Sequence, residues 1–202
     1  MEVLLACRAY IFELMHLLFA QEPTQDLINV LSSEESLQVF DIYTDGKPEF
    51  ISTLDITKLQ KEYFPLFIGP DKMPALPWES VYKTGHRVLF QQNTLEVRKL
   101  YLKHGLIALG YPNEADDHIA IELYFIMALA KRTTDAFSNN DTKLVKELAE
   151  AQLHFLDKHL DWVHKYAADI DSALFPCYHS ISWYLCKLIE TDKQVLIEFI
   201  KS

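Results

Sequence analysis

The sequence predicts an all-α protein, a compact bundle of roughly ten helices, and three observations carry that expectation. Apolar residues recur at helical spacing through most of the 202 residues. Glycine is scarce, at five residues, which leaves few sites for the tight turns that join strands. No clear run of alternating polar and apolar positions marks a half-buried strand. Half the residues are apolar and 24% are charged, an ordinary balance for a soluble chain large enough to bury a substantial core.

Leu4, Leu5, Ile11, Leu14, Met15, Leu18 and Phe19 place a long helix over Glu2 to Ala20. Thr24 is a candidate N-cap for a helix over Gln25 to Leu31. Ser32 with Glu35 has the capping-box pattern and opens a short helix to about Phe40. Thr44 to Pro48 reads as a turn. From Asp55 a helix carries Leu59, Tyr63, Leu66 and Phe67, and Pro65 should kink or end it.

Pro65, Pro70, Pro74 and Pro77 fall within thirteen residues, so Gly69 to Pro77 cannot be ordinary helix. The stretch Glu62 to Tyr82 nevertheless carries Tyr63, Phe64, Leu66, Phe67, Met73, Leu76, Trp78 and Tyr82. A rigid apolar segment of this kind is either a plug under the helices or a groove wall presenting Trp78.

Thr94 to His104 is amphipathic. Gly105 to Asn113, with Gly105, Gly110 and Pro112, is the best hinge candidate. It divides one domain into halves of about 1–104 and 117–202 joined by 105–116. Asp117 to Arg132 becomes apolar on every side and predicts a central buried helix. Ser138 to Asp141 breaks the chain, and Leu144, Leu148, Ala151 and Phe155 face one side of the next helix. After a bend, His159 to Tyr166 continues helically. Pro176 suits the first turn of another helix. Thr191 with Gln194 predicts a capping box opening a last short one. No internal period marks a solenoid.

The net charge of −10 disfavours nucleic acid and anionic membrane as partners and permits a basic peptide. Cys7, Cys177 and Cys186 form neither a disulfide framework nor a CxxC metal site, and predict reduced thiols in a cytoplasmic protein. The apolar N-terminus is interrupted by Glu2, Arg8, Glu13 and His16, so neither a signal peptide nor an integral membrane segment is expected.

Two clusters could carry chemistry. Glu114, Asp116, Asp117 and His118 stand at the start of the buried helix. There they either stabilise the helix terminus or form an anionic patch for a basic peptide. His154, Asp157, Asp161 and His164 could share one helical face, but a solvated face explains them better than a metal. No phosphate-loop, dinucleotide or nucleophile-elbow motif appears, so the residues give an enzyme reading no positive support, and no metal or catalytic residue is assigned.

The stretch EYFPLFIGPDKMPALPWESVY followed by EADDHIAIEL resembles the paired signature of the TorD/DmsD family, redox enzyme maturation chaperones of twin-arginine-exported molybdoenzymes. The match runs through Leu66-Phe67-Ile68-Gly69-Pro70, Pro77-Trp78-Glu79-Ser80-Val81-Tyr82 and Glu114 to His118. Leu76 and Ala115 replace family prolines. Arg8 to Pro23 and Phe155 to Trp162 extend the likeness.

The resemblance implies a TorD-like, non-enzymatic chaperone of the cytoplasm. It would bind the twin-arginine signal peptide of a molybdenum-cofactor reductase subunit, of the dimethyl sulfoxide or trimethylamine oxide type. Export through the Tat pathway would wait until the cofactor is inserted and the client is folded. The alternative is an assembly factor for the folded catalytic subunit, with a metal-dependent hydrolase further behind.

The peptide-binding residues so implied are Leu66, Phe67, Gly69, Pro70, Pro77, Trp78, Ser80, Tyr82, Glu114, Asp116, Asp117 and His118. Leu66, Phe67 and Trp78 would meet the apolar region, Asp117 would pair with arginine helped by Glu114 or Asp116, and His118 would fix Asp117 or the peptide backbone. The Tat translocase and cofactor-biosynthesis proteins are secondary partners, and a guanine nucleotide is a secondary ligand. The client, and a monomer as against a dimer with exchanged halves, stay open at this stage.

Overall fold

Helix α1 (Glu2–Ala20) is the axis of the protein, because its apolar residues surround it almost completely. Ile11, Phe12, Met15, Leu18 and Phe19 have no accessible surface. The computed structural model describes residues 2–69, 73–108, 110 and 114–201. Along α1 lies α7 (Ile119–Ser138), the helix expected to be central and buried, with Ile119, Leu123, Ile126, Leu129 and Ala130 inaccessible. Helix α8 (Thr142–His159) packs on α7, capped by Asp141, whose side chain accepts from Leu144 N. Helix α10 (Pro176–Lys201) covers α8 and α9 (Val163–Asp169).

The smaller elements fill in around this frame. Helix α2 (Gln25–Leu31) starts at Thr24, whose hydroxyl accepts from Leu27 N at 3.2 Å. Helix α3 (Glu34–Thr44) packs on α1 and ends on Asp45 in the left-handed region, which Gly46 follows at φ 127°. A 3-10 turn over Glu49–Thr53 and α4 (Ile56–Tyr63) lie against α10. Helix α5 (Glu79–Thr84) contacts α6 (Gln92–Lys103) and α9. Among the described residues there is no strand, only an isolated bridge between Trp78 and His118.

Two expected helix boundaries are corrected. The α3 cap is Ser33 rather than Ser32: its hydroxyl accepts from Ser36 N, and the helix runs to Thr44 instead of stopping near Phe40. Thr191 and Gln194 do not open a separate helix, because α10 continues for 26 residues. Asp192, inside it, is drawn inward by Arg8. Arg8 Nε and Nη2 donate to the two oxygens of Asp192 at 2.5 and 2.8 Å, and the Tyr43 hydroxyl also donates to Oδ1. Arg8 and Asp192 are wholly buried, so this one ion pair ties α1, α3 and α10 together.

By length and composition α1 could cross a membrane, but 56% of its apolar window is buried inside the protein and Arg8 interrupts it. Elements from both sides of the expected hinge share one core, since α1 packs on α7 and α4 on α10. Part of the hinge itself, residues 109 and 111–113, lies outside the described residues.

Candidate functional site

Pro65 has no N–H to return to the preceding turn, so α4 cannot continue regularly beyond it. The chain widens into a π-helical segment over Phe64–Ile68, closed by Gly69 N donating to Phe64 O at 2.7 Å. This turn separates neighbouring side chains. Leu66 is fully buried in the core, whereas Phe67 stacks on Tyr63 with ring centroids 4.8 Å apart.

The proline-rich segment then crosses the start of α7. Glu79 N donates to Asp117 O at 3.0 Å, and Ile119 N to Pro77 O at 2.9 Å. Asp117 clamps the crossing: Oδ2 accepts from Ser80 N and Oδ1 from the Thr94 hydroxyl, each at 2.8 Å. Asp116 is held by Arg98 at 2.6 Å, and its carbonyl accepts from the Tyr101 hydroxyl. Both carboxylates are buried and committed to framework bonds. Asp117 is not presented to a ligand, so its pairing with a peptide arginine is not supported by this arrangement.

What the crossing does present is a cleft of about 410 Å³ between α1, the π-helical segment, the α6–α7 connection and α7. Phe19, Tyr63, Phe67, Ile107, Tyr124 and Phe125 give it an aromatic and aliphatic lining. Its polar side chains include Glu114, His16 and His118. Glu114 is half-buried, and its Oε1 accepts from Trp78 Nε1 at 2.8 Å and from Ala115 N at 2.9 Å. Gly110 lines the same wall, and a Cβ there would overlap the Glu114 side chain.

His118 is the N-cap of α7. Its Nδ1 accepts from Ala120 N at 3.1 Å. Burial, reinforced by nearby His16, pushes its pKa down to about 4. Burial likewise lowers His16, against the raising effects of its bond to Ala120 O and of Glu13. Both imidazoles are therefore neutral at pH 7.

Of the twelve residues expected from the sequence, Phe67, Glu114 and His118 line this cleft. Trp78 stands behind Glu114 and packs edge-on against His118 at 5.4 Å. Leu66, Pro77, Ser80, Asp116 and Asp117 are buried framework, and Gly69 closes the π turn. Tyr82 stacks instead on Trp162, with centroids 5.2 Å apart. Pro70 lies outside the described residues.

Sequence reasoning missed His16, Phe19 and Tyr124. Its available signal was a lone histidine inside the otherwise apolar turn Met15 to Ala20. The second cluster does not converge, since Asp161 pairs with Lys83 and Asp157 with Lys193 at 3.3 Å. Among the described residues no three His, Cys, Asp or Glu side chains are grouped to hold a metal.

Residues 44–168, more than half the chain, match the family model described as nitrate reductase delta subunit. The chain belongs to the TorD family. It is 30% identical over 210 residues to the chaperone protein TorD of Vibrio atlanticus, covering 94% of each chain. It is 28% identical over 158 residues to a Tat proofreading chaperone, DmsD, of Haemophilus influenzae, covering 72% of this chain and 74% of that one. These TorD-family relatives are named as chaperones. In fold, the protein is similar to a redox enzyme maturation protein of Archaeoglobus fulgidus. That match has a TM-score of 0.56 and 21% identity, and covers 91% of this chain and 93% of the other.

Proposed function

We propose that this chain is a cytoplasmic chaperone that holds the twin-arginine leader of a molybdenum-cofactor reductase subunit until the client is folded and loaded. The supporting observation is the cleft at the crossing of the two family motifs, whose apolar lining meets an acid, Glu114, at one wall. A twin-arginine leader offers the complementary chemistry, a basic pair followed by an uncharged apolar stretch. The apolar stretch would lie over Phe19, Phe67 and Tyr124, and Glu114 would receive an arginine. Apolar burial supplies most of the affinity, because an exposed acid–arginine pair contributes about 0–1 kcal/mol. The net charge of −10 steers a basic leader towards the protein.

Calorimetric titration with a synthetic twin-arginine leader tests this. Phe67→Ala and Tyr124→Ala should each weaken binding about tenfold or more, and Asp161→Ala, at a surface pair away from the cleft, should leave it unchanged. The proposal is overturned if no leader from the same cells binds, or if a client stripped of its leader is captured as well as the complete precursor.

A further inference from the structure

Ala120, in the first turn of α7, bonds to two histidines at once. Its N–H donates to His118 Nδ1 at 3.1 Å, and its carbonyl lies 2.8 Å from His16 Nδ1. A backbone N–H can only donate and a carbonyl can only accept, so the two bonds assign both tautomers. His118 Nδ1 is a bare acceptor, which puts its proton on Nε2. His16 Nδ1 carries its proton, which leaves Nε2 as the bare acceptor.

The two Nε2 atoms are thus of opposite character, on rings that line the same cleft. Neither has a hydrogen-bond partner among the described residues, and neither is among the buried polar side-chain atoms left unpaired there. Each ring is also braced from another side. Tyr124 packs edge-on against His16 at 5.3 Å, and Trp78 against His118 at 5.4 Å. The cleft therefore offers an oriented, uncharged donor and an oriented, uncharged acceptor inside an apolar lining.

From this geometry we infer that His16 and His118 form an amide-reading pair, which takes the N–H and C=O of a non-helical stretch of the bound peptide. An amide carries one donor and one acceptor of its own, and leaving either unpaired in an apolar site is costly. Amides inside a helix already satisfy each other, so only an extended or looped backbone, or an Asn or Gln side chain, has both groups free. The pair would make the cleft select an apolar segment in extended form. The inference rests on the peptide-binding reading of the cleft and deepens it.

Two measurements on the full chain test it. Long-range 1H–15N NMR correlations should show His118 as the Nε2–H tautomer and His16 as the Nδ1–H tautomer in the free protein. The opposite tautomer at either ring overturns the assignment whether or not any peptide binds. Calorimetry then uses a synthetic twin-arginine leader with a Leu/Ala apolar stretch that lacks Asn and Gln.

His118→Asn keeps an α7 cap acceptor and deletes the Nε2 donor. His16→Asn keeps a donor for Ala120 O and removes the acceptor from the position of Nε2. Each should lower affinity about tenfold, as should N-methylation of one amide in the apolar stretch. Indifference of this leader to both variants and to every N-methylation, with sensitivity to the variants appearing only once Asn or Gln is added to it, would assign the pair to a side-chain amide and overturn the extended-backbone inference. Equal binding of a leader made helical by α-aminoisobutyrate overturns it too. No binding by the wild-type protein would sink the peptide reading and this inference together, whereas wild-type binding indifferent to both Asn variants sinks this inference alone.

Discussion

The indole N–H of Trp78 donates to Glu114 Oε1 at 2.8 Å, and the same oxygen accepts the N–H of Ala115. One carboxylate oxygen is thereby consumed in holding the proline-rich segment to the α7 approach, while the residue as a whole lines the cleft. Trp78→Phe keeps the aromatic packing and removes the donor. It should cost about 1.5–3 kcal/mol in urea unfolding, the range for a hydrogen bond to a charged group. Glu114→Gln retains an acceptor for Trp78 but loses the charge. Its stability should stay within about 0.5 kcal/mol of wild type, and its affinity for a leader with the arginine pair should fall severalfold. The same variant should lose no affinity for a leader with the pair replaced by glutamine.

Gly110 supplies a second check on Glu114. A Cβ at Gly110 would collide with the Glu114 side chain, so Gly110→Ala must move one wall of the cleft. Leader affinity should fall by more than the stability change accounts for, with Gly85→Ala as the control. Gly85 sits at φ 71°, with nothing within 4 Å of an added Cβ. Strain alone should cost that control about 1 kcal/mol and leave binding intact.

The buried Arg8–Asp192 pair gives the largest expected stability effect. Asp192→Ala would leave the Arg8 guanidinium buried among α1, α3 and α10 with no counter-charge, a change that typically costs 3–5 kcal/mol. The double replacement Arg8→Met with Asp192→Leu removes both charges and should recover most of that loss. Guanidinium unfolding of wild type, Asp192→Ala and the double variant measures it, and a double variant no more stable than Asp192→Ala would show that the uncompensated charge is not the cause.

These residues also show what the sequence made legible. The limits of α1 and α2 follow from local spacing and a threonine cap, and both appear as expected. Ser32 and Ser33 both have capping chemistry, and only the backbone path from Val30 selects Ser33. The break expected at Thr191 fails for a non-local reason, since Asp192 answers to Arg8, 184 residues away. In the site, Asp116, Asp117 and Trp78 were identifiable as special, but local spacing cannot tell a carboxylate facing a ligand from one clamping a crossing of two segments. His16 reads as an interruption in an apolar helix because its partner, Ala120, lies 104 residues further on.

Acid should destabilise the protein through His118. Its pKa in the folded state, about 4, lies below the ~6.5 of the unfolded chain, so the unfolded chain takes up the proton first as pH falls. Stability contributed by the neutral ring is complete above about pH 6.5 and is lost progressively towards pH 4, by roughly 3 kcal/mol at most. Lowered His16 acts in the same sense. Glu122 and Glu79, both raised chiefly by burial, act oppositely, gaining stability as they protonate. The difference between wild type and His118→Asn isolates the first effect. The variant's urea midpoint should vary less between pH 7 and pH 4, and parallel curves would remove His118 from the acid response.

Glu62 links the stability of α10 to the shape of the cleft. Its two oxygens accept from Cys177 N at 3.2 Å and Tyr178 N at 3.0 Å, capping the start of α10 from the last turn of α4. The next residue, Tyr63, stacks on Phe67 in the cleft wall, and Tyr178 packs against Phe67 at 5.2 Å. A carboxylate at a helix N-terminus satisfies otherwise unpaired donors and opposes the positive end of the helix dipole. Glu62→Gln keeps one acceptor and should cost about 1–2 kcal/mol, whereas Glu62→Ala removes both and should cost more. Because the cap also fixes where Tyr63 and Phe67 stand, leader affinity should fall in the same order at pH 7. Unchanged affinity in a destabilised Glu62→Ala protein would show that the aromatic wall holds its position without the cap.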